Sequence, residues 1–150
     1  MTLSDGIQIE EERNMTESNI KDMIPCGTHK VWETVLAFER YHTWRSDVDK
    51  TEMADEKHFT EYSKDGYSTA FTVTAAEPDR RLELDMENSQ IKGHWTMVFT
   101  SKGSETEIDF TASMTAKQLS TRPVGKGVFE KTYLKKEQTR FITDLKNALG

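Results

Sequence analysis

Hydrophobic residues change their spacing along this chain, and each change marks an element. From Asn19 to Ile24 the residues alternate. Ile20, Asp22 and Ile24 share one face and Lys21 and Met23 the other, which predicts a first strand. Pro25 and Gly27 end it. Beyond His29, the apolar residues Val31, Trp32, Val35 and Leu36 form one stripe of an amphipathic helix. Thr28 is placed to cap that helix, since its hydroxyl can accept an unpaired backbone N–H. A second short helical piece carries Phe38, Tyr41 and Trp44.

Between Val48 and Ala116 the period becomes two. His58 to Lys64 reads as a strand, and Asp65-Gly66 as a hairpin turn with φ > 0 at both central residues. Tyr67, Thr69, Phe71, Val73 and Ala75 form one face of the next strand. After the turn at Glu77-Pro78-Asp79, Leu82, Leu84 and Met86 alternate with Glu83, Asp85 and Glu87. Asn88-Ser89 turns the chain again. Ile91, Gly93, Trp95, Met97 and Phe99 then oppose Lys92, His94, Thr96 and Thr100. After Lys102-Gly103-Ser104, Ile108, Phe110, Ala112 and Met114 oppose Glu107, Asp109, Thr111 and Ser113. Five such segments predict an antiparallel meander with one dry and one wet face.

A dry face needs a cover. The spacing predicts a long helix from about Gly127 to Leu149, with Val128, Leu134, Phe141, Ile142, Leu145 and Leu149 on its apolar stripe. No repeat or linker divides the chain, so residues 15–150 read as one domain and residues 1–14 as a polar N-terminal arm. The pattern is that of an α+β fold.

Composition narrows the function classes. The net charge of −6 excludes a general nucleic-acid binder, which needs a basic footprint to displace counterions. No apolar run approaches the ~20 residues of a membrane span, so no membrane insertion is expected. Residues 1–14 lack the apolar stretch of a signal peptide, and a cytoplasmic location is the default. A single cysteine, Cys26, allows no internal disulfide and no paired-cysteine site.

Searching for chemistry yields little. His29, His42, His58 and His94 show no ligand spacing, so no metal and no other cofactor is expected. No nucleophile elbow occurs, and Gly125-Lys126-Gly127 lacks the context of a phosphate loop. Cys26 precedes a helix N-terminus, but an inert role is the better reading. His94, Asp85 and Asp109 fall on wet faces. Asp22 shares a face with Ile20 and Ile24; an exposed carboxylate is favoured over a buried one with raised pKa. No catalytic residue is assigned.

The order of elements resembles the START/polyketide-cyclase superfamily, which includes the birch-pollen allergen. The likeness is carried by Ile24-Pro25, Val31-Trp32-Glu33, Tyr41 and Trp44. Further on it rests on Gly93, Trp95, the stretch Gly103 to Ile108, and Leu145-Lys146. It spans roughly residues 18 to 149. The resemblance implies a helix-grip fold: a curved antiparallel β-sheet wrapped around a long C-terminal α-helix, with two short helices after the first strand. It also implies an apolar cavity between sheet and helix, and a small apolar or aromatic ligand, lipid- or polyketide-like, as the partner. Trp44, Phe71, Trp95, Phe110, Phe129 and Tyr133 are the candidate wall, with the Tyr133 hydroxyl as a polar handle. Two alternatives accompany this reading. One is a cyclase or dehydratase using the same cavity, marked by a polar, pKa-perturbed group inside it. The other is a protein-interaction module of the chaperone-activator kind. The sequence assigns no oligomeric state.

Overall fold

Seven antiparallel strands form one curved sheet in the computed structural model, which describes residues 15–117 and 131–150. They are β1 (Met15–Ile24), β2 (Val48–Met53), β3 (His58–Ser63), β4 (Ser68–Glu77), β5 (Arg81–Glu87), β6 (Ile91–Lys102) and β7 (Glu105–Ala116). Helix α1 (Thr28–Leu36) and a short 3₁₀ helix (Phe38–Thr43) separate β1 from β2, and α2 (Lys131–Leu149) closes the chain. The sheet order is β1-β7-β6-β5-β4-β3-β2. β2 to β7 thus run as a meander, and β1 returns to pair with β7. This is the sheet, long helix and pair of short helices that the helix-grip resemblance implied.

The five expected segments are present, and two edge strands complete the sheet. β2 was not legible as a strand because its sequence, VDKTEM, buries only Val48 and leaves no alternation to read. The alternation of β4 also breaks. A bulge between Val73 and Ala75 puts Ala75 opposite Glu83, an outward residue, so Ala75 leaves the face it was expected to share with Phe71. Tyr67 lies before β4 and is exposed. Asp65-Gly66 turns the chain, but only Gly66 has positive φ (91°). The Gly66 N–H donates to the Ser63 carbonyl and the Ser63 N–H to the Tyr67 carbonyl, so the loop is longer than the two-residue turn expected. At α1 the N-cap is Gly27, without a side-chain cap, and Thr28 is already helical.

The core lies between the inner sheet face, α1, the 3₁₀ helix and α2. Leu82, Leu84, Met97, Ile108 and Phe110 are buried on the sheet, Val31 and Val35 on α1, and Leu134, Phe141, Ile142 and Leu145 on α2. Leu149 packs against this cluster. Val128 and the expected helix start near Gly127 lie outside the described residues. The stripe of α2 also buries Gln138, whose amide donates to the Ser18 and Phe110 carbonyls and ties helix to sheet. Gly93 is required by close approach: a Cβ there would stand 2.8 Å from the Ser113 carbonyl oxygen and 3.1 Å from Met86 Cγ.

A candidate ligand cleft beside the last helix

The aromatic side chains that the sequence singles out gather around Phe141. Trp44, Trp95 and Phe110 present rings to it at 5.4, 5.8 and 5.5 Å, all near edge-on. Phe71 extends the group from Trp95, at 5.7 Å, toward Phe59. Phe71 and Phe110 are buried, and Trp44 and Trp95 partly so. Such contacts contribute ~0.5–1.5 kcal/mol each beyond area burial. Phe141 therefore fills the gap between sheet and helix at this level. Phe129 lies outside the described residues.

Tyr133 is placed differently. It lines a cleft of about 620 Å³ beyond the packed aromatic layer, where the first turns of α2 face the ends of several strands. One wall is α2, with Tyr133, Glu137 and Arg140. The opposing rim comes from Ser46 and Asp47 ahead of β2 and from Ser63, Lys64, Asp65 and Tyr67 at the β3–β4 connection. Thr69, Asn88, Gln90, Ile91 and Met114 supply the rest. The lining is mixed, with Ile91 and Met114 apolar among carboxylates, cations and two tyrosines.

Hydrogen bonds hold these segments in register. The Ser46 N–H and hydroxyl both donate to Asp144 of α2, at 2.8 Å each. The Lys64 N–H donates to the Asp47 carbonyl at 3.1 Å, which joins the hairpin to the segment before β2. Asn88 Oδ1 accepts the Gln90 and Ile91 N–H groups, a side-chain turn that shapes the β5–β6 corner.

Behind Asp47 stands a charged group that the sequence did not reveal. Arg45 is 5% exposed, and its guanidinium lies 5.2 to 5.8 Å from the ring centres of Phe141, Tyr41 and Trp95. It donates to Asp47 and to Glu61, both at 2.9 Å. Burial pushes the Glu61 carboxyl up, with the charge of Arg45 pulling against it. Arg45 Nε has no partner among the described residues. The only sequence signal was adjacency: Arg45 follows Trp44 and precedes Asp47 by two.

On the opposite wall, burial raises the pKa of Glu137, opposed by Arg140 and reinforced by Asp47. Burial and the charge of Glu137 likewise raise that of Tyr133. Both residues lie one helical position before the buried Leu134 and Gln138, so a search along the margin of the apolar stripe would have found them.

The remaining candidates are elsewhere. Asp22 keeps its expected parity and pairs with Lys146 at 2.7 Å, half-exposed. That hydrogen bond outweighs partial burial and lowers its pKa, so it is no proton donor at neutral pH. His94 lies on the outer sheet face, clamped between Asp85 at 2.5 Å and Glu83 at 2.8 Å. Cys26 is partly buried and unpaired by any disulfide. Among the described residues no group of three His, Cys, Asp or Glu side chains could hold a metal ion, and no helix is long and apolar enough to cross a membrane.

Solved structures of low sequence identity share this fold. Zhui aromatase/cyclase from Streptomyces sp. R1128 is 10% identical, with 90% of this chain and 93% of that chain covered and a TM-score of 0.76. A START superfamily protein from Mycobacterium smegmatis is 12% identical, with 89% and 96% covered and a TM-score of 0.71. Norcoclaurine synthase from Thalictrum flavum is 6% identical, with 90% and 94% covered and a TM-score of 0.68. No curated protein matches the chain. A family model matches residues 15–150, the same span that carries the sheet and both helices, and the chain belongs to that family, polyketide cyclase / dehydrase and lipid transport.

Proposed function

We propose that this protein binds a small molecule with an apolar or aromatic body and polar substituents in the cleft between α2 and the β3–β4 hairpin. The observation that carries the reading is the cleft's size and its mixed lining. About 620 Å³ is within the range of small-molecule sites. Ile91, Met114 and the tyrosine rings offer apolar contact, while Asp47, Glu137 and Arg140 offer hydrogen bonds that fix orientation. The family's description, which includes lipid transport as well as cyclase and dehydrase activity, supports a binding role.

Native mass spectrometry of the protein purified from its own host tests this. The expected result is a retained small-molecule mass that is lost in Met114→Trp, where the indole fills the cleft. No retained mass, together with no displacement of an apolar fluorescent dye by extracts of that host, would refute the reading.

One observation favours a second reading, an enzyme of cyclase or dehydratase type. Glu137 combines a place on the cleft wall with a pKa raised by burial, the direction of shift that a proton donor requires.

A further inference from the structure

We propose that Arg45 is a ligand-anchoring residue, its free Nε–H donating to a neutral oxygen, carbonyl or hydroxyl, of the molecule bound in the cleft. The proposal rests on the cleft being the ligand site and adds to that reading one anchoring atom and a charge preference.

The guanidinium is a planar fork, and the hydrogens of Nε and Nη2 along one edge point the same way. Asp47 accepts from Nη2 at 2.9 Å, and its side chain lines the cleft, a quarter exposed. The other donor of that edge, Nε, is therefore directed to the same side as Asp47. It has no acceptor among the described residues. Nη1 is spent in a different direction, on Glu61 at 2.9 Å. Arg45 is 5% exposed, and a donor so buried calls for a partner. The rings of Phe141 and Trp95 flank the guanidinium at 5.2 and 5.8 Å and hold it in place, so an acceptor has to come to it.

The sheet wall leads to the same point. Glu61 lies opposite Thr69 in the β3–β4 register, and Thr69 lines the cleft. Asn88, also on the lining, donates to the Thr69 hydroxyl at 3.3 Å. The cleft thus borders the Arg45 group twice, through Asp47 and through Thr69.

Charge decides the kind of oxygen. Asp47 and Glu61 already answer the single charge of Arg45. Asp65 and Glu137 bring further carboxyl groups to the lining, against Lys64 and Arg140. A ligand carboxylate or phosphate would set one more anion beside Asp47. A carbonyl or hydroxyl oxygen accepts the Nε–H without adding charge.

Three probes of similar shape separate these cases: 2-acetonaphthone with a carbonyl, 2-ethylnaphthalene without one, and 2-naphthoate with a carboxylate. Binding is followed by amide NMR, and Arg45 by its own Nε–Hε resonance. The ketone is expected to bind at the cleft and move that resonance, the hydrocarbon to bind without moving it, and the carboxylate to bind more weakly than the ketone. In the double variant Arg45→Met, Glu61→Leu, affinity for the ketone should fall about three- to tenfold, the worth of one hydrogen bond, with affinity for the hydrocarbon unchanged. If that variant fails to fold, the wild-type Hε resonance decides. A ketone that binds at the cleft without moving it, or a carboxylate that binds more tightly than the ketone, overturns the anchoring role and leaves the cleft as a ligand site. Binding of none of the three overturns both.

Discussion

Arg45 places a cation among three aromatic rings and behind the one carboxylate that joins it to the cleft. Burying a guanidinium is costly unless its bonds are satisfied, and here Asp47 and Glu61 satisfy two of its nitrogens. Removing the cation alone leaves Glu61 buried and unpaired. Arg45→Met is therefore expected to destabilise the fold by about 3–5 kcal/mol in urea unfolding. The double variant Arg45→Met, Glu61→Leu should recover most of that loss. Equal losses in single and double variants would show that the ion pair is not what holds this corner. None of this was readable in advance, because an arginine after a tryptophan reads as a surface residue. What buries it is a long-range contact with β3 and with Phe141, which local periodicity does not encode. Tyr133 was legible as a candidate wall residue, whereas Glu137, one turn later, was not among the candidates.

At the scale of elements, the pairing of β5 with β6 carries a pH-sensitive contact. Both ring nitrogens of His94 face carboxylates on the neighbouring strand, Asp85 and Glu83, an arrangement that suits the imidazolium. Partial burial works against the charged ring, but the hydrogen bonds and charges of Asp85 and Glu83 prevail and raise its pKa. A pKa raised by folding means that the charged form stabilises the native state. This contribution is fully present below the unfolded value of about 6.5. It is lost as pH rises through the folded one. Urea titrations on either side of that window should show stability declining toward alkaline pH, and His94→Gln should remove that part of the decline. An unchanged slope would contradict it. His94 was expected on a wet face, and it is there, but alternation shows only which face a residue takes and not its cross-strand partners. The same limit explains β2 and β4. An edge strand with one buried residue has no period to detect, and a one-residue bulge moves Ala75 to the other face without any change in composition.

For the whole molecule, the order of elements was the legible part. One dry sheet face and a single long amphipathic helix leave few ways to close a core, and the antiparallel sheet with α2 against it follows from them. The interior was less legible because hydrophobic alternation is the same for a residue that lines a space and one that fills it. Trp44, Phe71, Trp95 and Phe110 come together, but Phe141 occupies the place between them and the helix axis. The cleft opens nearer the start of α2, where loops and strand ends meet and side chains are polar. The central claim is that this cleft is where a ligand sits. Amide NMR of the protein titrated with the same apolar fluorescent dye tests it most directly. The predicted result is a saturable set of shifts clustered at Asp47, Asp65, Gln90, Tyr133 and Glu137, absent in Met114→Trp. Shifts clustered instead on the outer sheet face around His94, or no saturable shifts at all, would contradict it.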